Sequence, residues 1–97
     1  MDLAELDAVT ALRAEAWESR GATWEVVRWP VRVKSAASLR IDKDSSLGEI
    51  ILWTSGEADL SWSVDGGPVE VEHYELTSSF GLHGCVDDLE ERLHLHD

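Results

Sequence analysis

Residues 47–76 hold three strand patterns joined by two glycine-bearing turns, and few folds accommodate such a stretch. Ser55-Gly56 separates the run 48–54 from the run 57–64, and Gly66-Gly67 separates the latter from the run 68–76. A glycine-containing pair between two alternating apolar runs is a hairpin signal, because glycine reaches the positive φ angles of a tight turn without steric cost. Two hairpins that share a strand make an antiparallel meander.

Strand side chains alternate between faces, so the turn positions decide which residues lie together. With Ser55-Gly56 as a two-residue loop, Trp53 faces Ala58, Ile51 faces Leu60 and Glu49 faces Trp62. With Gly66-Gly67 as the second loop, Val64 faces Val69, Trp62 faces Val71 and Leu60 faces His73. The expected core face then runs through Ile51, Trp53, Leu60, Trp62 and Val71. The opposite face collects Asp59, Glu70, Glu72 and Tyr74 and receives Ile50 and Leu52 from the first strand. This mixed acidic and apolar surface is the candidate partner site.

The flanks supply helices. Leu3, Leu6, Val9, Leu12, Ala16 and Trp17 recur at helical spacings over residues 2–20, with Asp2, Glu5 and Asp7 near the positive end of the helix dipole and Gly21 placed to follow the last turn. After Leu76, the hydroxyls of Thr77, Ser78 and Ser79 offer a helix start, and Leu82, Val86, Leu89 and Leu93 form a second stripe with Cys85 beside it, firmest from Cys85 onward. Between the first helix and the meander, residues 23–34 alternate Val27, Trp29, Val31 and Val33 against Arg28, Arg32 and Lys34, and Pro30 argues for an edge or a break. Ser35-Ala36-Ala37-Ser38 reads as a small-residue turn before a short strand at 39–42. The expectation is a single α+β domain over 1–97: an antiparallel meander of four to five strands flanked by an N-terminal and a C-terminal helix.

Charge narrows the function. The formal charge of −12 is concentrated in residues 44–97, which carry thirteen acidic groups and one basic group. A phosphate backbone is repelled by such a surface and a basic protein is drawn to it. Aromatics interleaved with cations at Trp24, Arg28, Trp29, Arg32 and Lys34 fit a nucleic-acid stacking surface, and the helix-strands-helix order is similar to that of a double-stranded-RNA-binding domain. The acidity of the remainder opposes that reading, so no nucleic-acid partner is expected. Cys85 is the one cysteine, which excludes an internal disulfide and suits the cytosol. No apolar run approaches the roughly 20 residues that span a bilayer, and the N-terminus lacks the pattern of a signal peptide.

Catalytic and metal patterns are weak. His94, His96 and Asp97 sit at the chain end without a second ligand pair, and most of the five tryptophans are expected in the core. His83 and Cys85 are two apart on a helix and cannot pair locally. His73 is expected beside Leu60 on the core face. Glu70 and Glu72 share a strand face at roughly 6.5–7 Å between Cα atoms, and with Asp59 they could approach a divalent ion. The preferred reading is an acidic binding face on a chain with no enzymatic activity, no cofactor and no metal.

The run Gly48-Glu49-Ile50-Ile51-Leu52-Trp53-Thr54-Ser55-Gly56-Glu57-Ala58-Asp59-Leu60, followed by Glu72-His73-Tyr74-Glu75-Leu76, resembles the immunity proteins of the TriTu family, found beside toxins of bacterial polymorphic toxin systems. The similarity covers residues 39–95, and the N-terminal third only in layout. The two glycines of the second helix, Gly81 and Gly84, depart from the helix formers expected there. The resemblance implies a cytoplasmic antidote that binds and neutralises a cognate protein toxin, of which a nuclease with a basic active site is one form. On the residue reading, Asp59, Glu70 and Glu72 would steer that partner, with Ile50, Leu52 and Tyr74 as contact area. The competing class is a non-catalytic homodimer that buries Ile50 and Leu52 across a two-fold axis.

Overall fold

The computed structural model describes residues 1–30 and 35–95. Helix α1 (Ala4–Ser19) is followed by strands β1 (Thr23–Arg28), β2 (Ala36–Lys43), β3 (Ser46–Trp53), β4 (Glu57–Ser63) and β5 (Glu70–Glu75), and the chain closes with helix α2 (Ser79–Arg92). The strands form one antiparallel sheet in the order β1-β2-β3-β4-β5. The fold is α+β, a five-stranded meander flanked by an N-terminal and a C-terminal helix. Neither helix is long and apolar enough to cross a membrane.

Both helices pack on one face of the sheet. That face is built by Leu39 and Ile41 of β2, Ile50 and Leu52 of β3, and Ala58 and Leu60 of β4, all fully buried. Burying an aliphatic side chain of this size contributes about 1.5–3 kcal/mol, so these positions dominate the stability of the sheet. On α2 the buried stripe is Leu82, Cys85, Val86 and Leu89, continued by Leu93 and Leu95. Helix α2 begins at Ser79, ahead of both Gly81 and Gly84. Gly48 lets α2 sit close: a Cβ there would lie 2.2 Å from Leu89 Cδ1 and 3.0 Å from Leu93 Cδ1.

Helix α1 turns Leu3, Leu6, Val9, Thr10 and Trp17 inward. Leu12 and Ala16, expected in this stripe, face solvent; Leu12 is 76% exposed. At 3.6 residues per turn Leu12 lies roughly 120° from the line through Leu6, Thr10, Arg13 and Trp17. Arg13 occupies the contact position instead. Its guanidinium reaches across to α2, 2.6 Å from Asp87 Oδ1, 2.7 Å from Glu90 Oε1 and 3.1 Å from His83 Nδ1, while Trp17 Nε1 donates to Glu90 Oε2 at 2.8 Å.

Three sequence expectations change here. Residues 36–38 are the start of β2 rather than a turn, because Ala37 is fully buried between its neighbours and small side chains suit that crowded position. Strand β1 ends at Arg28, ahead of Pro30, while Val31, Arg32, Val33 and Lys34 lie outside the described residues, as do His96 and Asp97. Of the five tryptophans only Trp17 is fully buried; Trp24 and Trp29 are exposed, and Trp53 and Trp62 are half-buried.

Both turns of the meander shift the register by one residue from the expected one. The β3–β4 loop is 54–56, three residues long, and Gly56 closes it at φ +96° with its N–H donating to Trp53 O at 2.9 Å. A Cβ on Gly56 would meet Leu76 O at 2.4 Å. In the second turn Gly67 N–H returns to Val64 O at 2.9 Å, so the tip is Asp65-Gly66, both at positive φ, with an extra residue on the Pro68 side. Ile50 therefore pairs with Leu60, and Leu60 with Glu72. A one-residue slip exchanges the two faces of a strand. Ile50 and Leu52 go under the helices, and Ile51 and Trp53 come out.

Candidate functional site

The face of the sheet turned away from the helices is the candidate site. Reading across the strands in register, one row is Trp29, Ala36, Trp53, Glu57 and Glu75, the next Val27, Ser38, Ile51, Asp59 and His73. A third row is Glu25, Arg40, Glu49, Ser61 and Val71. The β1–β3 side of the first two rows is apolar: Val27 and Trp29 are exposed, Ile51 and Trp53 half-buried. Trp29 Nε1 donates to Ser38 Oγ at 3.1 Å, which lays the indole along the sheet and leaves Ser38 only 5% exposed. Val71 on β5 is 65% exposed.

The same face is strongly acidic. Glu25, Asp42, Glu49, Glu57, Asp59 and Glu75 project from it, against Arg40 as the one cation with a fixed charge among its described residues. Arg40 is held by Asp42, with its Nε 3.1 Å from Oδ2 and its NH2 3.2 Å from Oδ1, and that hydrogen bond raises the pKa of the guanidinium. His73 lies between two carboxylates, its Nδ1 2.7 Å from Asp59 Oδ1 and its Nε2 3.0 Å from Glu75 Oε1. The hydrogen bond to Asp59, followed by that to Glu75, raises the pKa of His73 above its ordinary value. The correction to the expected core position of His73 follows from the register slip: its neighbour across β4 is Asp59, not Leu60.

Chemically the surface suits recognition. A depression in this face at Arg40, Leu47, Glu49, Ser61 and Val69 holds about 100 Å³, against the roughly 300–1,000 Å³ of small-molecule sites. No group of three or more metal-ligating side chains converges among the described residues. Cys85 is buried beneath α2 and burial pushes its thiol up to about 12, while His83 is engaged by Arg13.

The residues expected to form a partner site divide among three places. Asp59 is on the open face. Ile50 and Leu52 are fully buried and offer no contact area, which also removes the surface of the proposed two-fold dimer. Glu70, Glu72 and Tyr74 project to the helix side, where they cannot share a surface, or a divalent ion, with Asp59. Tyr74 OH donates to Asp88 Oδ2 at 2.6 Å, and Glu72 lies 3.9 Å from Arg92, whose guanidinium stacks 4.6 Å over Trp62. These contacts brace β5 to α2. Burial first and the Asp88 hydrogen bond second raise the Tyr74 pKa far above its usual range.

The interleaved aromatic and basic set also separates. Trp24 and Arg28 turn to the helix side, where they pair with Glu18 at 2.9 Å and Asp7 at 2.5 Å, whereas Trp29 faces the other way. The sequence reading missed Trp29, Ile51, Trp53, Val71, His73 and Glu75 as site residues. The signal for Val71, His73 and Glu75 was Asp65-Gly66, a stronger hairpin pair than the Gly66-Gly67 beside it. Comparison of the chain with protein-family models, curated proteins and solved structures finds no match.

Proposed function

We propose that this chain is an immunity protein: a non-catalytic, cytoplasmic inhibitor that neutralises a cognate protein toxin by binding it with the open face of the sheet. The observation that carries the reading is a sheet face, turned away from both helices, that combines two tryptophans, Ile51 and Val71 with six carboxylates. Large aromatics with charged surroundings are the composition of an interface hot spot, and an exposed apolar area of this kind on a small domain marks a docking surface. The resemblance of residues 39–95 to TriTu immunity proteins supplies the partner class.

Physically, the carboxylates would raise the encounter rate with a basic toxin surface, and burial of Trp29, Ile51 and Trp53 would set the lifetime of the complex. The test is co-expression with the cognate toxin that the resemblance implies is encoded nearby. Wild-type chain restores growth, and Leu12→Ala, on the exposed side of α1, does so equally. Trp53→Ala weakens the purified complex on the order of 30-fold, as a hot-spot tryptophan does, and Asp59→Lys with Glu75→Lys abolishes rescue. Rescue by those open-face variants at wild-type level would refute the proposal.

A further inference from the structure

His73 is placed unlike the other groups of the open face. Each of its ring nitrogens has a carboxylate acceptor, Asp59 across the strand pair and Glu75 two residues on. A neutral imidazole can donate from one nitrogen alone, so only the imidazolium satisfies both contacts. When His73 is protonated, the pair of acids holds a cation belonging to the chain itself. The charges that face His73 are Asp59 and, one row away, Glu57 from β4, together with Glu75 on its own strand; the nearest β3 side chains in these rows are Ile51 and Trp53. Both helices lie on the opposite side of the sheet and add none.

We infer that His73 is a resident cation of the docking face, displaced when arginine or lysine side chains of a basic partner take Asp59 and Glu75, so that binding expels a proton and tightens as pH rises. The inference rests on the open face being a docking surface, and names how that surface is regulated. Charge complementarity selects the occupant: six carboxylates against Arg40, itself engaged by Asp42, suit a cationic surface. A partner that left the Asp59–His73–Glu75 contacts intact would bind with no proton linkage, and a partner acid would require His73 to keep its proton.

The sign follows from linkage. His73 in the free chain holds its proton more tightly than an isolated histidine because of Asp59 and then Glu75. Once a partner cation occupies these acids, that advantage is lost and the imidazole lets its proton go. Binding therefore weakens in acid, strengthens through the titration of His73, and levels off above it.

An oligoarginine peptide serves as the probe, at low salt, with the histidine ring signals followed by NMR against pH and affinity by fluorescence anisotropy. With saturating peptide, His73 is expected to titrate at lower pH than in the free chain, while His83 and His94 are unmoved. Affinity should be about tenfold tighter above the titration than below it, and His73→Gln should hold the tighter value at all pH. Peptide binding that leaves His73 unshifted, shifts every histidine alike, or stays pH-dependent in His73→Gln would overturn the inference, as would absence of binding. No toxin enters this experiment. Failure here with intact rescue in cells removes the proton linkage alone, and success here with failed rescue removes the toxin reading alone.

Discussion

The two faces of the sheet are made from the same strands, yet neighbouring residues on β3 have opposite fates. Ile50 and Leu52 are fully buried beneath α2, while Ile51 and Trp53, one step along, face away from both helices. On the helix side, charged and polar groups are consumed in bracing: Arg13 with Asp87 and Glu90, Tyr74 with Asp88, Trp24 with Glu18. On the open side the contacts of Arg40 with Asp42 and of His73 with Asp59 and Glu75 stay within the face, and none of them reaches a helix. One face carries the core and the bracing contacts, and under the proposed function the other is the docking surface.

The sharpest way to break this division is a pair of substitutions on one strand. Leu52→Ala should lower stability by about 2–5 kcal/mol in urea denaturation, and Ile51→Ala by about 1 kcal/mol or less while weakening partner binding. The reverse order would place the register one residue away from the one described. Next in size is Gly48→Ala, whose new methyl group would collide with Leu89. Overpacking there should cost about 1–3 kcal/mol by the same measurement, with binding retained.

Tyr74→Phe separates bracing from contact. Loss of the hydrogen bond to Asp88 should cost about 0.5–1.5 kcal/mol and leave affinity for the partner unchanged, whereas a contact tyrosine would lose affinity instead. The smallest effect is the pH dependence from His73. Its pKa is raised in the folded chain, by Asp59 first and Glu75 next, so its stabilisation is fully present below about pH 6.5 and is lost as pH rises through the folded value. Thermal melts across that window should show a shallow decline that His73→Gln flattens.

The architecture was legible because its signals are local. Helical stripes at Leu3, Leu6 and Val9 and at Leu82, Val86 and Leu89, and turn residues between alternating runs, are written in windows of a few residues. The faces were not legible from the same windows, because each depends on a single residue in a loop. Ser55-Gly56 extends to Thr54 in a three-residue loop closed by Gly56, and the second turn forms at Asp65-Gly66. Those slips turned Glu70, Glu72 and Tyr74 toward α2 and put Ile50 and Leu52 in the core, leaving Asp59 alone of the expected site. The apolar content of β3 offered no correction, since Ile50, Ile51, Leu52 and Trp53 are apolar on both faces. Only the helices, by choosing a side, decided which were core.

The central claim is that the partner covers the open face, and the five tryptophans make it directly measurable, because they are divided between the two faces and the helix layer. Indole N–H signals of the chain, recorded by NMR alone and in complex with the proposed toxin partner, should show Trp29 and Trp53 shifting strongly while Trp17, Trp24 and Trp62 hold their positions. Movement of Trp24 and Trp62 with Trp29 and Trp53 unchanged would put the partner on the helix side and contradict the account.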